Sequence, residues 1–404
     1  MKEKIKKIIK FIIPRPFREF IAYYISRFSD WKSVLWYHFK QYLRLLGKGK
    51  FKNAKNYFWT VLFSKEDGMG LLDFFYEKWP NLTPYPGRIE VEATSKCSLR
   101  CPKCEHTFWN FPDRDITYDE FLHIMKQFPK LRCISLTGIG HGFHNPHYMK
   151  MLKWLKEKQI FVQFYDPFLI INDNIAKELV ELGIDKIWVS IDGTTKEVYE
   201  KMQVGSNFEV VTKNIRNLLK WKRHYKTTFP EMCYKMVVTN INQHQMPDFV
   251  DLVEELTKDD PNKYKNVEYV KVLPFAENRY LQPTPTVDPK YVLETRDRAK
   301  KYGKFRLNIY NIPFRKCQPL HKCSAWTVPF ILADGSVYPC CALTEGNRRE
   351  KVKPYVMGNV LAGDFREIWK TTYRDLINKI HKGIPPTICV IDPETCKYVA
   401  SKRY

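Results

Sequence analysis

Along residues 86–280, short runs rich in Val, Ile, Tyr and Phe alternate with longer stretches in which apolar residues recur every three or four positions. The runs 88–94, 132–137, 160–166, 186–191, 233–240 and 268–274 predict strands. The stretches 118–127, 146–158, 173–182, 208–221 and 244–256 predict amphipathic helices between them. Six strand–helix repeats predict a parallel sheet with its helices outside, either an open doubly wound sheet or an incomplete barrel. In both architectures the functional site lies at the carboxyl ends of the strands.

The flanks have a different texture. Ile5, Ile8, Ile9 and Ile12 stand at helical spacing with lysines between them, and Pro14 and Pro16 separate them from a second apolar stretch ending at Phe28. This interfacial pattern over residues 1–28 fits a helix on the protein's own body, an anionic membrane surface or an anionic polymer. Beyond Asn311 the alternation stops, and Pro283, Pro285 and Pro289 predict a rigid connection just before that point. The chain therefore divides into a basic helical region (1–85), a core (86–310) and a cysteine-rich region (311–404).

With 404 residues, 44% of them hydrophobic, the chain can bury a sizeable core, which excludes a disordered protein. Fifteen Lys and Arg against Glu3, Glu19 and Asp30 give residues 1–60 a net +12, about half of the chain's +23. Nothing in that arm forms a nucleotide-reading motif, which argues against a nucleic-acid partner. No apolar run is long enough to span a bilayer, and no small-residue cleavage site follows the first one. A cytoplasmic protein is expected, with the arm as its one candidate for peripheral attachment to the membrane's cytoplasmic face. Eleven cysteines in a reducing compartment then point to metal ligation rather than a disulfide framework.

The sharpest chemical signal is Cys97-Ser98-Leu99-Arg100-Cys101-Pro102-Lys103-Cys104, three thiols in one loop directly after the first predicted strand. Thiolates this close together suit an iron-sulfur cluster, and three ligands for four irons leave one iron open. A zinc site completed by His106 is the alternative, although structural zinc normally takes four protein ligands.

In this loop the chain resembles the radical S-adenosylmethionine (radical SAM) superfamily, whose hallmark is CxxxCxxC. Gly138-Ile139-Gly140-His141 stands where that family has a glycine-rich loop, and Ser190-Ile191-Asp192-Gly193 ends the fourth predicted strand. The resemblance implies a partial parallel (β/α)6 barrel of the α/β class, a [4Fe-4S] cluster on Cys97, Cys101 and Cys104, and S-adenosylmethionine (SAM) bound at the open iron. It also implies that Gly138, Ile139, Gly140 and His141 hold the cofactor's amino group, with Ser190, Asp192, Asn240 and Leu273 near its ribose and adenine. The activity implied is reductive cleavage of SAM to a 5′-deoxyadenosyl radical that abstracts hydrogen from a substrate carbon. A ferredoxin or flavodoxin would supply the electron.

Two departures stand out. Lys103 replaces the aromatic residue common before the third cysteine, and His141 replaces the family's acid, with His144 and His147 following. That histidine set lacks a carboxylate partner in the sequence, so an altered grip on the cofactor amine or a substrate contact is expected rather than a metal site. Asp166, at the end of the third predicted strand, is a candidate polar contact, and residues 113–115 read as a solvated turn.

The second constellation resembles the SPASM/twitch extension of the same superfamily. It runs from Cys323 through Gly335-Ser336-Val337-Tyr338-Pro339-Cys340 to Met357-Gly358-Asn359-Val360 and Phe365-Arg366-Glu367-Ile368-Trp369. Cys323, Cys340, Cys389 and Cys396 would ligate an auxiliary cluster, with Cys341 an alternative to Cys340 and zinc the alternative metal. Cys317 is unassigned.

The resemblance leaves the substrate open. The basic arm favours a membrane lipid or its sugar headgroup, as for an archaeal enzyme of the calditol-synthase kind. Maturation of a peptide or protein is the alternative, although no leader-binding hairpin is discernible in residues 1–85. A non-catalytic iron-sulfur or zinc protein is the rival from another class, and a nucleic-acid modifying enzyme has only the net charge behind it.

Overall fold

The computed structural model describes residues 36–62, 76, 79–108, 110–272, 276–281, 287–310, 325–341, 349–384 and 386–387. Two compact units are present, residues 1–73 and 74–404. In the first, helical residues 36–47 are followed by a helix at Phe51–Tyr57, with Gly49 left-handed between them (φ 70°) and His38 Nδ1 2.8 Å from the Tyr57 hydroxyl. The arm over residues 1–28 lies outside the described residues.

The second unit is built on a nine-stranded sheet. Strands β1 (Arg88–Val91), β2 (Cys133–Leu136), β3 (Phe161–Asp166), β4 (Lys186–Ser190), β5 (Glu231–Val238), β6 (Lys265–Lys271) and β7 (Phe305–Tyr310) are all parallel. Each pairs with its predecessor in the chain. That strictly sequential order decides between the two expected architectures. A doubly wound sheet reverses its order at a switch point, whereas right-handed crossovers that always advance in one direction give the winding of a barrel. The sheet is an open, partial barrel whose sequentially ordered run of parallel strands is one longer than the six predicted. The strand of that run that escaped prediction, β7, follows a helix over Pro289–Tyr302. Pro289 opens that helix at its first position, where the missing N–H costs nothing, so it belongs to an element and not to a linker.

The crossover helices begin where the sequence offers caps. Tyr118–Lys126 starts with a Thr117/Glu120 capping box, and the Asn172 side chain caps Asp173–Leu182 through the Ile175 N–H, with left-handed Gly183 closing that helix. Further crossover helices are Tyr148–Glu157, Phe208–His224 and Met246–Thr257. Their apolar stripes pack on Ile89, Val91, Ile134, Leu136, Val162, Phe164, Ile187, Val189, Tyr234 and Met236, all essentially inaccessible. Alternation along the strands turns Glu90, Ser135, Gln163, Tyr165, Trp188 and Lys235 to the opposite face. There Tyr165 stacks on Trp188 (5.3 Å) with the Lys235 ammonium over the Tyr165 ring (4.9 Å).

Residues from beyond 311 join the same sheet. β8 (Phe330–Ile331) pairs parallel with β1, and β9 (Val337–Tyr338) folds back on it through a turn containing left-handed Gly335 (φ 84°). Phe365 packs against Tyr85 and Phe128 and Trp369 against Tyr85 under the first crossover, with Tyr373 packed behind Phe365 and Trp369.

Candidate active site

Beyond the end of β1 the chain is braced before it enters the cysteine loop. Residues 93–96 run beside 114–116, with Ser95 N bonded to Arg114 O (2.9 Å), Ile116 N to Ala93 O (3.0 Å), and the Thr94 hydroxyl and Lys96 ammonium both on Asp115 (2.6 Å each). The turn at residues 113–115 is thus a clamp as well as a solvated surface, a role that its run of charges concealed. Buried Asn145 adds a second brace by donating Nδ2–H to Ala93 O (2.7 Å) and Ile116 O (2.9 Å).

The three cysteines of the loop are free thiols. Burial pushes Cys101 and Cys104 up to about 12, and it raises Cys97 as well, so a metal taken up here must displace protons from neutral thiols. Among the described residues no three His, Cys, Asp or Glu side chains close around a single ion. A four-iron cluster is bulkier than one ion and seats its thiolates farther apart, which three cysteines spread over an eight-residue loop can satisfy. His106 is turned away from the loop, its Nε2 donating to Ser95 O at 2.9 Å.

The glycine loop lies directly against this segment. His141 N donates to Lys96 O (2.7 Å), and a Cβ on Gly140 would fall 2.3 Å from Thr94 O and 2.8 Å from Lys96 O. Only glycine permits that approach. The His144 imidazole accepts from Ser98 N (3.2 Å) and lies 3.1 Å from the Ser98 hydroxyl, a second tie between the two loops. A small cleft opens beside the glycine loop at the strand ends, lined by Ala93, Thr94, Thr137, Gly138, Gly140 and Tyr165.

His141 itself is buried, with Nε2 2.8 Å from Asp166 Oδ2 and Nδ1 without a partner. The carboxylate partner that the sequence did not reveal is therefore present, supplied by β3. The two histidines have separate partners, His141 facing Asp166 and His144 facing Ser98. Phe168, two residues beyond Asp166, is left-handed (φ 61°) and completely buried, and its N–H donates to Asp166 Oδ1 (2.6 Å). A bulky residue in that conformation is backbone strain of the sort that collects at functional sites.

At the end of β4, Asp192 is wholly buried and pairs with Lys103, while Gln203 Nε2 (2.6 Å) and Val237 N (2.7 Å) also donate to it. Lys103 thus bridges the cysteine loop to β4. Ser190 is half-buried, and its carbonyl accepts from Gln203 (3.0 Å). Asn240 is exposed and donates to Tyr280 O (2.8 Å). Asn242, which the strand-end reading passed over, is inaccessible and holds Asp192 O (2.8 Å), Val237 O (2.9 Å) and Thr239 N (2.7 Å). Its loop position two residues past Asn240 carried no signal of that role.

In the C-terminal region, Cys340 and Cys341 are half-buried just after β9. Cys317, Cys323, Cys389, Cys396 and Leu273 lie outside the described residues. The convergence of three free thiols, a glycine pressed on backbone, an unpartnered buried imidazole nitrogen and a nearby cleft fits a cluster with an amino-acid-bearing cofactor beside it.

Residues 91–253 match the family model of the Radical SAM superfamily, and residues 323–396 match that of SPASM, an iron-sulfur cluster-binding domain. Over 302 residues the chain is 27% identical to a tungsten-containing aldehyde ferredoxin oxidoreductase cofactor-modifying protein of Pyrococcus furiosus, covering 70% of this chain and 80% of that one. It is 21% identical to the AdoMet-dependent heme synthase of Methanosarcina barkeri over 72% of this chain and 83% of that one. Among solved structures, Streptococcus suis SuiB bound to precursor peptide SuiA superposes with a TM-score of 0.58 at 13% identity, covering 81% of this chain and 74% of that one. At that identity the likeness concerns the fold.

Proposed function

We propose that this chain, an enzyme of the radical SAM superfamily with a SPASM iron-sulfur domain, abstracts hydrogen from a carbon of a peptide, or of a group carried on a protein, in order to mature it. A [4Fe-4S] cluster and SAM are the cofactors that its radical SAM domain implies. When bound, they supply reductive cleavage of a carbon–sulfur bond and a carbon radical able to attack an unactivated C–H bond. Cys97, Cys101 and Cys104 would hold the cluster, and the backbone of residues 138–140 would bind the methionine part of SAM.

The observation that carries this reading is the seam between the two loops, where His141 N reaches Lys96 O and Gly140 is pressed onto residues 94–96. A ligand held by the glycine loop is thereby brought beside the cysteines without further reorganisation. Lys103, paired with Asp192, ties the cysteine loop to the end of β4, where the ribose would lie, and of that pair Lys103 alone keeps some exposure (11% against 0%). Buried Asn145, with its two carbonyl contacts, braces the segment that leads into the cysteine loop. Cys340, with Cys323, Cys389 and Cys396, would ligate an auxiliary cluster, and the catalytic cycle requires a one-electron donor of the ferredoxin or flavodoxin kind.

The maturation reading of the substrate draws on the printed roles of the relatives, a cofactor-modifying protein and a mycofactocin maturase among them. The lipid-headgroup reading rests on residues 1–28, outside the described residues, and none of the relatives named above carries it. Among the described residues no helix is long and apolar enough to cross a membrane.

The test is anaerobic reconstitution with iron and sulfide, followed by dithionite and SAM and mass spectrometry for 5′-deoxyadenosine. Formation of 5′-deoxyadenosine, with loss of both product and iron when Cys97, Cys101 and Cys104 become Ala, is the expected result. A fully loaded cluster that never cleaves SAM, even with candidate peptides present, would overturn the reading in favour of a non-catalytic iron-sulfur protein.

A further inference from the structure

One carboxylate near the mouth of the site joins three distant pieces of chain. Glu92, immediately after β1, is only 1% exposed, and its two oxygens take four donors. Arg349 donates Nη1–H to Oε1 (2.9 Å) and Nη2–H to Oε2, a bidentate fork. Ile139 N, in the centre of the glycine loop, donates to Oε2 (2.9 Å), and Ala333 N, just past β8, approaches Oε1 at 3.4 Å. The Arg349 side chain is itself only 12% exposed.

The contact also explains Gly138. A Cβ there would fall 2.4 Å from Glu92 Cγ and 2.5 Å from Oε2, so the first glycine of the loop makes room for this carboxylate. Arg349 opens a short helix, Arg349–Val352, whose Val352 is buried in the main core, so the guanidinium is anchored in the C-terminal region. Arg is suited to the role because its planar fork fixes both carboxylate oxygens at once. A carboxylate buried this deeply needs its counter-charge. Without the fork the buried carboxylate would lose its counter-charge and one of its geometric anchors, and the acceptor of the Ile139 N–H would be displaced.

We propose that Arg349 is a positioning residue: acting through Glu92, it sets the backbone of residues 138–140 and thereby the affinity of the glycine loop for SAM, so that the C-terminal region tunes the cofactor site in the barrel. The proposal rests on the reading of that loop as the SAM site. Because binding couplings are reciprocal, SAM in turn should protect the segment around Arg349.

The test compares reconstituted wild-type protein with Arg349→Met, Arg349→Lys and Glu92→Gln, measuring iron content, SAM affinity by equilibrium dialysis and amide exchange over residues 133–145. Arg349→Met should retain its iron, bind SAM about ten-fold more weakly, as outer positioning residues do elsewhere, and exchange the Ile139 amide faster. Arg349→Lys, which can still reach one oxygen, should recover part of both. Unchanged affinity and exchange alongside a lowered melting temperature would overturn the proposal, reducing the pair to a structural strut. If Arg349→Met does not fold, Glu92→Gln decides, since it keeps an oxygen for Ile139 but cannot hold the fork; wild-type affinity there overturns the proposal. Should the wild-type protein bind no SAM at all, the reading of the site fails, while the exchange of residues 138–141 still decides whether Arg349 positions the loop.

Discussion

His141 and Asp166 form a buried pair across the ends of two neighbouring strands, Nε2 to Oδ2 at 2.8 Å, with both side chains at most 2% exposed. Burial disfavours the imidazolium, but the charge and hydrogen bond of Asp166 outweigh it and raise the His141 pKa above its ordinary value. A folded-state pKa above the unfolded one means that the pairing contributes fully below the unfolded value and is lost as pH rises through the folded one. The stability difference between wild type and Asp166→Asn should therefore be larger at pH about 5 than at pH about 8 in urea titrations. A difference that does not change with pH would show that His141 stays neutral throughout.

Lys103 and Asp192 make another largely buried pair, 11% and 0% exposed. Asp192→Ala strands the ammonium and removes the acceptor of Val237 N, and it should cost about 3–5 kcal/mol by chemical denaturation. Replacing both partners with apolar residues should cost much less, since a buried pair removed whole leaves no stranded charge. A double variant as unstable as Asp192→Ala would assign the loss to the Gln203 and Val237 contacts instead.

Gly140→Ala tests the seam between the loops. The new Cβ meets Thr94 O, Ser95 C and Lys96 O, all backbone atoms that cannot rotate aside. Iron uptake and SAM binding are both expected to collapse, as read by iron analysis and equilibrium dialysis. Wild-type values for both would mean that residues 94–96 yield without disturbing Cys97.

Asn242→Ala removes an inaccessible side chain that serves Asp192 O, Val237 O and Thr239 N. Three buried backbone groups lose their partner, and a destabilisation of about 2–4 kcal/mol is expected. Asn240→Ala, at an exposed position with one contact to Tyr280 O, should cost about 1 kcal/mol or less. Equal losses in the two variants would contradict the assignment of Asn242 as the hub.

Much of this molecule was legible in the order of its residues. A parallel strand that turns one face to helices and the other to a polar interior still shows a run of Val, Ile, Tyr and Phe, so six strands could be read directly. The cysteine spacing and Gly140 were legible too, because three thiols in one loop and a close backbone approach are local features of the chain. β7 escaped because Arg306 and Asn308 dilute its apolar run and the prolines before it suggested a linker.

What lay beyond reach were the partners. His141 has no acid in its own segment; Asp166 reaches it only because β2 and β3 are neighbours in register. Lys103 finds Asp192 across 89 positions and Glu92 finds Arg349 across 257. Local spacing determined the chemistry on offer, namely three thiols, a glycine loop and a barrel to carry them. The pairing of buried charges was decided only by the tertiary structure, because such a group must find its counter-charge somewhere in the folded interior, and sequence distance places no limit on where.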